Sequence, residues 1–498
     1  MTRSVTGVKK SLFPTEKSAE DIKKEAAINS KPEQAAVSAA KKGTPKSPTG
    51  RKNWISIGLR FLIITITFGV FVVAIPTQFR DLAEVTQAFV KSTNFTIESN
   101  SSLDIGNVKK NPELRKDANG KTNVMLVGVD TRYVVARGGG TLRNTDSLMV
   151  ATYDHKTHRV GLISFPRDII ANFPNTPSYM KINAIYATGE SRSKGSGLES
   201  IKQTLENMSG LKIQYYAMVD LKGFMTVIDL LGGIDVYVER SFTDYQYPTD
   251  NYRWRTVSFT QGWAHMNGDT ALAFSRSRHS QQAGEGSDFA RARRQQKVIQ
   301  GVIDQALKQE TLQNPKKIFE ILNAIAGSIQ VNQLTPEDVE AALAILTAKG
   351  KPEIFNVVLD PTVANKKLLQ VGGYGTGYTI TTIGGVKNTG PMRQFLTDFS
   401  NEPTIVNDVT IPVYNGKSGS FTSKYRNLTG RFFYMKLYNA GTTEEYQGDT
   451  VFNHGGAQYE RVSKFIAATM GMTYQEVTDE SIRAPRPNGV PVVIVLGK

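Results

Sequence analysis

The sequence predicts an α/β protein in which helices cover a central β-sheet, followed by a second and smaller α/β unit. Short apolar runs typical of buried strands alternate with segments of helical periodicity. The length of 498 residues exceeds that of one ordinary domain, and an apolar fraction of 40% is normal for a chain with a substantial core. Both numbers therefore fit two or three folded units.

The N-terminal segment, residues 1–53, is rich in lysine and contains almost no aromatic residues. Such a composition cannot bury enough apolar surface to offset the entropy lost on ordering, so we predict a disordered, basic cytoplasmic tail. This tail holds a good part of the formal net charge of +15. Because it shows no helix-turn-helix pattern, we expect no specific nucleic-acid partner, only non-specific contact.

Residues 54–76 are predicted to be a transmembrane helix. The apolar run Ile55–Ile75 is about 21 residues long, enough to span a hydrocarbon core. Its one charge, Arg60, lies within the first two turns and can reach the interface. A buried core helix is the alternative. Lysine and arginine are concentrated before the run, whereas Arg80 after it is offset by Asp81 and Glu84, and this bias places the N-terminal side in the cytoplasm. We expect an uncleaved single-pass anchor in the cell membrane, with the bulk of the chain extracytoplasmic.

The exterior begins with residues 77–119, a predicted stalk or accessory segment, and continues with a catalytic domain at 120–400. Three apolar runs predict its first strands, Asn123–Asp130, Ser147–Tyr153 and Arg159–Phe165. The polar turn Asp154–His158 joins the last two as a hairpin.

Helical periodicity marks Gly197–Ser209, Leu221–Leu231 and Asp288–Lys308. The pair Gly232 and Gly233 ends the second of these helices. Further strands are predicted at Ile234–Val238 and Ala271–Arg278.

The smaller unit is predicted over residues 407–498. It opens with a strand and turn at Val409–Gly416, continues with a helix around Gln458–Met470 and closes with a strand at Pro491–Gly497.

Charged residues stand at the ends of the first three strands. Asp130 closes the first strand, Asp146 opens the second, and Arg167 and Asp168 follow the third. Ligands of α/β sheets bind at strand ends. Each residue alone could be a solvated loop charge or part of a local salt bridge, but together they indicate a site.

Basic residues supply the second half of this site. If Ala271–Arg278 is a strand, alternation places four side chains on one face: Leu272, Phe274, Arg276 and Arg278. Arginines that continue a buried face are costly unless they meet an anion. In the next helix Arg291, Arg294 and Gln295 share a face, although that face could also be a solvated basic surface. One guanidinium group can donate two parallel hydrogen bonds to two phosphate oxygens. Lys181 could add a further positive charge.

Acidic residues beside arginines suggest a divalent cation. Mg²⁺ binds one or two carboxylates together with substrate phosphates, so Asp130 and Asp146 are the predicted ligands. Such a site catalyses phosphoryl transfer by positioning and charge neutralisation.

Several other chemistries are excluded. The chain has no cysteine, which excludes disulfides, thiolate nucleophiles and cysteine-ligated zinc. It has no P-loop and no kinase signature, and its five histidines show no metal-ligand spacing.

These motifs, in this order, resemble the LytR-CpsA-Psr family of cell-wall glycopolymer ligases. The resemblance covers about Thr122 to Leu307, and the C-terminal unit is similar to the LytR C-terminal domain. The matching segments are NVMLVGVD, TDSLMVATYD, VGLISFPRD, KINAIY, VDLKGFMTVIDLLGGIDVYV, GDTALAFSRSR and DFARARRQQKVI.

The resemblance implies a three-layer α-β-α catalytic domain and a Mg²⁺-dependent phosphotransferase. Family members move a phosphorylated glycopolymer from a polyprenyl-pyrophosphate carrier to peptidoglycan, forming a phosphodiester. By position, Asp130 and Asp146 match the metal-associated acids, and Lys181 falls on a family motif. The pyrophosphate-binding groups of the family correspond to Arg167, Arg276, Arg278, Arg291 and Gln295.

We expect catalytic roles for Arg167, Asp168, Arg276 and Arg278, and our hypothesis is that Asp168 or a metal-proximal aspartate helps to deprotonate the acceptor hydroxyl. One position departs from the family pattern, since Asn144 stands where members often carry arginine and Arg143 is shifted by one. Two other interpretations stay open. One is a polyprenyl-pyrophosphate phosphatase or a non-catalytic lipid-carrier binding protein with the same pocket, and the other is a transcription attenuator.

Overall fold

The computed structural model describes residues 113–129, 144–249, 253–282, 284–308, 329–331, 338, 341–342, 345, 349–362, 368–406 and 409–498. The predicted tail, the predicted transmembrane helix at 54–76 and nearly all of the predicted stalk lie outside these ranges, as do Asp130 and Arg143. No helix within the described ranges has both the length and the apolar character that a bilayer crossing requires.

The strands are numbered β1 to β19 and the helices α1 to α8 along the described residues. The strands are β1 Lys121–Val129, β2 Thr145–Asp154, β3 Arg159–Ser164, β4 Ile170–Asn172, β5 Tyr179–Lys181, β6 Tyr215–Asp220, β7 Ile234–Val238, β8 Phe242–Pro248, β9 Trp254–Phe259, β10 Gly262–Met266, β11 Ile329–Val331, β12 Glu353–Val358, β13 Leu369–Val371, β14 Ile380–Thr382, β15 Thr410–Asn415, β16 Lys436–Thr442, β17 Thr450–Asn453, β18 Thr473–Glu476 and β19 Val492–Leu496. The helices are α1 Ile185–Arg192, α2 Gly197–Ser209, α3 Leu221–Leu230, α4 Gly268–Arg276, α5 Asp288–Ala306, α6 Gly390–Asn401, α7 Phe421–Arg431 and α8 Ala457–Met470.

The main sheet has six strands in the order β11-β6-β1-β2-β3-β12. β2 is antiparallel to both β1 and β3, which confirms the predicted hairpin. β6 runs parallel to β1, and β12 runs parallel to β3. As a result β1, β3, β6 and β12 all end at one edge of the sheet, where β2 begins.

Helices pack on both faces of this sheet. Met125 and Val127 of β1 lie in a core cluster with residues of α1, α2 and α6. Val124 and Leu126, which point the other way along the same strand, pack with residues of α3, α4 and α5. The predicted mixed α/β fold is therefore confirmed, and β1 is buried on both faces as its apolar run indicated.

The predicted strand Ala271–Arg278 is wrong, because this segment forms the helix α4. The Asn267 side chain caps the helix by accepting a hydrogen bond of 2.9 Å from the Thr270 backbone N–H. Consecutive residues from Ala271 to Phe274 are all buried, so burial does not alternate. A short apolar run does not distinguish a strand from a buried helix, and here capping and helix-forming residues decided the outcome.

The C-terminal residues form a five-stranded sheet in the order β16-β15-β19-β17-β18. Its strands β15 and β19 and helix α8 confirm the predicted elements. Phe395 and Phe399 of α6 belong to the same hydrophobic cluster as Phe432 and Tyr434 beyond α7. The two sheets thus share a continuous core, and the division at residue 407 stays a prediction.

Candidate active site at the strand ends of the central sheet

Asp146 lies where β2 enters the sheet edge at which β1 and β3 end. Thr145 pairs with Val129 and Ser147 pairs with Gly128, which leaves Asp146 as the extra residue of a β-bulge. A bulge redirects a side chain away from the regular alternation. Gly128 permits the close pairing, because a Cβ there would lie 2.2 Å from Ser147 Oγ.

Arg167, in the loop after β3, contacts three carboxylates. Its Nε lies 3.0 Å from Asp288 Oδ2 and 3.4 Å from Asp168 Oδ2. Its Nη1 lies 3.8 Å from Asp146 Oδ1. One guanidinium therefore joins β2, the loop after β3 and the first turn of α5.

Lys181 extends this network on the side of β4 and β5. Its Nζ lies 2.7 Å from Asp168 Oδ1, so Asp168 is held by Lys181 and Arg167 together. The Ile182 N–H donates to the Ile169 carbonyl at 2.8 Å, which fixes the backbone next to both members of the pair.

Arg291 is a buried cation on the same network. Its Nη1 lies 3.0 Å from Asp288 Oδ1, and its Nη2 donates to the Asp146 carbonyl at 3.2 Å. Burial lowers the pKa of Arg291, and the positive charges of Arg167 and Arg278 lower it further, against the opposing effect of Asp288 and Asp146. Arg167 and Arg291 therefore meet at one carboxylate, since both contact Asp288.

Arg278 lies in the loop after α4. Its side chain is exposed, whereas its backbone N–H donates to Asp244 Oδ2 at 3.1 Å. The same oxygen accepts from Ser277 Oγ at 2.6 Å and from the His279 N–H at 3.2 Å. Asp244 is completely buried, so this loop is fixed by one carboxylate of β8.

Two predicted residues have other contacts. The Arg276 guanidinium faces Tyr247 of β8, with Nη1 3.4 Å from the phenol oxygen. Gln295 donates to the Ser275 carbonyl at 3.3 Å. Their predicted pyrophosphate contacts stay predictions.

Arg294 corrects the predicted basic face of α5. Its guanidinium is buried and donates to the carbonyls of Phe274 and Glu285 at 2.9 Å and 3.0 Å. It also lies 2.6 Å from Glu285 Oε2. Arg294 is thus neither a solvated charge nor part of the anion site, because its donors hold the loop between α4 and α5.

Comparison with known proteins fits this arrangement of acids and arginines at the sheet edge. Residues 84–356, more than half of the chain, match the model of the LytR_cpsA_psr family. The chain belongs to the LytR-CpsA-Psr family.

Curated relatives of this LytR-CpsA-Psr protein include two named transferases. The polyisoprenyl-teichoic acid–peptidoglycan teichoic acid transferase TagU of Bacillus anthracis is 32% identical over 210 residues, or 42% of this chain and 60% of TagU. The corresponding TagV of Bacillus subtilis is 30% identical over 245 residues, 49% of this chain and 58% of TagV. The crystal structure of B. subtilis TagV matches with a TM-score of 0.41 at 25% identity, covering 57% of this chain and 99% of that one. The chain thus spans about 60% of the length of these curated relatives.

Two site residues of this LytR-CpsA-Psr chain were missed in the sequence. Asp288 could have been found, since it precedes Arg291 by one helical turn, where side chains meet. Asp244 lies far along the chain from the loop that it binds, and no local pattern marks it.

Of the two predicted metal ligands, Asp146 lies within the described ranges. Asp130 lies outside the described ranges, and these ranges contain no group of three or more potential metal ligands. Asp146 is half-exposed, and its closest approach to Arg167 is a loose 3.8 Å. A carboxylate whose oxygens are partly exposed can bind Mg²⁺, which needs few protein ligands when substrate phosphates supply the others.

Proposed function

We propose that this protein transfers a phosphorylated glycopolymer from a polyprenyl-pyrophosphate carrier to peptidoglycan. The observation that carries the proposal is that Arg167 and Arg291 meet at the Asp288 carboxylate at the sheet edge, beside Asp146 and Asp168. The names of the TagU and TagV relatives describe transfer of teichoic acid to peptidoglycan, which supports the same reaction class here.

The reaction exchanges one phosphorus–oxygen bond for another. An acceptor hydroxyl oxygen bonds to the phosphorus that carries the glycan, and the bond from that phosphorus to the bridging oxygen breaks. The products are a glycan–acceptor phosphodiester and a polyprenyl monophosphate. The hydroxyl proton passes to a base, and the leaving phosphate takes up negative charge.

The guanidinium groups bind the pyrophosphate in this scheme. Arg167 and Arg291 already contact an oxygen anion, since both bind the carboxylate of Asp288. Phosphoryl oxygens have the same charge and similar spacing, so they can replace carboxylate oxygens on the same forks. Exposed Arg278 can approach the pyrophosphate without first leaving a buried ion pair.

Asp168 is the base in this proposal. Its carboxylate is held in place by Lys181 on one oxygen and Arg167 on the other. A base fixed on two sides can meet the acceptor hydroxyl without reorganisation during the reaction.

Mg²⁺ is the proposed cofactor, held by Asp146 together with Asp130. When bound, it neutralises phosphate charge and favours departure of the leaving group. Arg291 donates to the Asp146 backbone carbonyl and so fixes the bulge that carries this predicted ligand.

We further propose that the donor is met at the outer face of the cell membrane, since it is a lipid. The predicted anchor at residues 54–76 and the basic tail before it support this location. Protease accessibility of the C-terminal unit in intact protoplasts, but not of the tail, is the expected result.

Purified full-length protein in detergent micelles tests the reaction. A labelled polyprenyl-pyrophosphate-linked oligosaccharide phosphate serves as donor, and uncross-linked peptidoglycan fragments serve as acceptor. We expect a labelled phosphodiester from the wild type, none from Arg291→Ala, and wild-type yield from Arg483→Ala, an exposed arginine of the C-terminal unit. Free glycan phosphate formed equally without acceptor would instead identify a phosphatase. Normal transfer by both Arg291→Ala and Arg276→Ala would exclude the arginine site.

A further inference from the structure

The hairpin of β13 and β14 lies next to the site but outside the family match, which ends at residue 356. The Ile380 N–H donates to the backbone carbonyl of Asp168 at 3.1 Å. Ile380 also forms a parallel bridge with Ile169, and both side chains are buried. The hairpin is therefore tied directly to the residue that we propose as the base.

The loop of this hairpin has a backbone that only glycine adopts easily. Gly372, Gly373, Gly375 and Gly377 all have positive φ values, between 62° and 88°. For three of them a Cβ would meet no atom within 4 Å, so open space lies around them. The glycines thus allow the backbone conformation of the loop that carries the two exposed tyrosines, Tyr374 and Tyr378.

Tyr374 meets the strand that carries Lys181. Its hydroxyl donates to the Tyr179 carbonyl at 3.1 Å, and the two rings lie 6.3 Å apart. Tyr179 and Lys181 are two residues apart in β5, so their side chains leave the strand on the same side. An aromatic pair therefore adjoins the Lys181–Asp168 ion pair.

Tyr378 lies in the same loop, two residues before β14 begins. Half of its surface is exposed, although a ring of this size gains by burial. Burial and the negative charges of Asp168, Asp288 and Asp360 raise the pKa of its phenol. Tyr378 precedes Ile380 by two residues, so the backbone hydrogen bond from Ile380 to Asp168 keeps this part of the hairpin beside the site.

We propose that Tyr374 and Tyr378 form the subsite that binds a sugar ring of the acceptor. An aromatic face packs against the apolar C–H face of a pyranose, while phenol and carboxylate oxygens bind its hydroxyls. The hairpin contacts the backbone of Asp168, the base that must reach the acceptor, whereas Arg291 lies on α5. This inference rests on the proposed transfer reaction for the identity of the acceptor.

Two measurements separate this inference from the transfer reaction itself. Acceptor binding is measured without donor, by saturation-transfer NMR with soluble disaccharide-peptide fragments of peptidoglycan. Steady-state transfer then gives KM for acceptor and, separately, KM for donor. The variants are Tyr374→Ala, Tyr378→Ala and Tyr378→Phe, with Tyr438→Ala, an exposed tyrosine on β16, as the matched control.

We expect Tyr374→Ala and Tyr378→Ala to raise the acceptor KM about three- to tenfold, the effect of losing one aromatic contact, with the donor KM unchanged. Tyr378→Phe keeps the ring and should lose less, and Tyr438→Ala should match the wild type. Fragment binding that weakens in the alanine variants supports the subsite even if no transfer occurs, in which case only the proposed reaction fails. An unchanged acceptor KM and fragment affinity, or a donor KM that rises in parallel, would overturn the subsite.

Discussion

Arg294 of α5 and Glu285 of the preceding loop form a buried ion pair, with Nη1 2.6 Å from Oε2. The remaining donors of Arg294 bind backbone carbonyls of α4 and of the loop. Arg291, one turn earlier, instead contacts Asp288 and the Asp146 carbonyl in the site. The two arginines of α5 therefore differ in role, since Arg294 stabilises the loop and Arg291 can bind an anion.

Replacement of Arg294 by alanine should destabilise the fold. The variant leaves Glu285 and several carbonyls without their donor, and breaking a buried ion pair costs about 3–5 kcal/mol. Guanidinium denaturation measures the free energy of unfolding. Arg291→Ala is the matched variant, and it should lose less stability because Asp288 keeps Arg167 as a partner. Equal stability of Arg294→Ala and wild type would contradict the structural role.

Arg291 and Arg294 also show which parts of the site could be predicted from the sequence. Apolar runs and acidic or basic residues at strand ends predicted β1, β2 and β3 and brought Asp146, Arg167 and Asp168 to one edge. Helical spacing predicted that Arg291 and Arg294 lie on one face of α5. It could not show that the Arg294 guanidinium donates its hydrogen bonds to a carbonyl of α4. Those partners depend on α4 being a helix, which the short apolar run of Ala271–Phe274 did not reveal.

Asp244→Asn should impair transfer by displacing the loop of Arg278. An asparagine keeps the volume of Asp244 but can turn an N–H group toward the backbone donors that the carboxylate accepts. Leaving such buried groups unsatisfied costs about 1–3 kcal/mol. We expect a raised donor KM, measured by steady-state transfer. The control Asp269→Asn removes an exposed partner of Arg255 and should leave the donor KM unchanged.

The pH dependence of the Asp244 variant gives an independent check. Burial raises the pKa of Asp244, but the hydrogen bonds from Ser277 and the neighbouring backbone outweigh it, and the pKa is lowered. A lowered carboxyl pKa contributes stability above the unfolded value near 4, and that contribution is lost as pH falls through the folded value. The stability difference between wild type and Asp244→Asn should therefore shrink below about pH 4. A difference that stays constant down to pH 2 would argue against a buried carboxylate.

His155 should make the fold sensitive to mild acid far from the site. Burial and the charges of Lys116 and Lys349 lower its pKa to about 4. Below the ordinary value of 6.5 the unfolded chain takes up a proton that the folded chain refuses, so stability falls between about pH 6.5 and 4. Urea unfolding across this range should show a shallower loss for His155→Gln than for wild type. Identical pH slopes would mean that His155 is solvated when folded.

Removal of residues 409–498 should destabilise the catalytic part. Asp398 of α6 binds Tyr434 at 2.5 Å and is paired with Arg431, both in the C-terminal unit. Phe395 and Phe399 would lose the neighbours that complete their cluster. A chain ending at residue 406 should bind a hydrophobic dye and melt at a lower Tm. A truncated chain with unchanged Tm and no dye binding would show that the two units fold independently.

Chelation of divalent metal should abolish transfer, and Asp146→Asn should raise the Mg²⁺ requirement. Asp146 presents a half-exposed carboxylate whose ion pair with Arg167 is loose at 3.8 Å, so the side chain is available to a cation. Loss of a charged ligand weakens metal binding by at least the roughly 10- to 100-fold seen for outer-shell changes. Transfer is measured after EDTA treatment and during Mg²⁺ titration, and Mn²⁺ binding is followed by electron spin resonance. Asp235→Asn removes an exposed carboxylate of β7 and should leave the titration unchanged. Wild-type transfer at full rate in EDTA would eliminate the metal, and the arginines would then carry the phosphate charge alone.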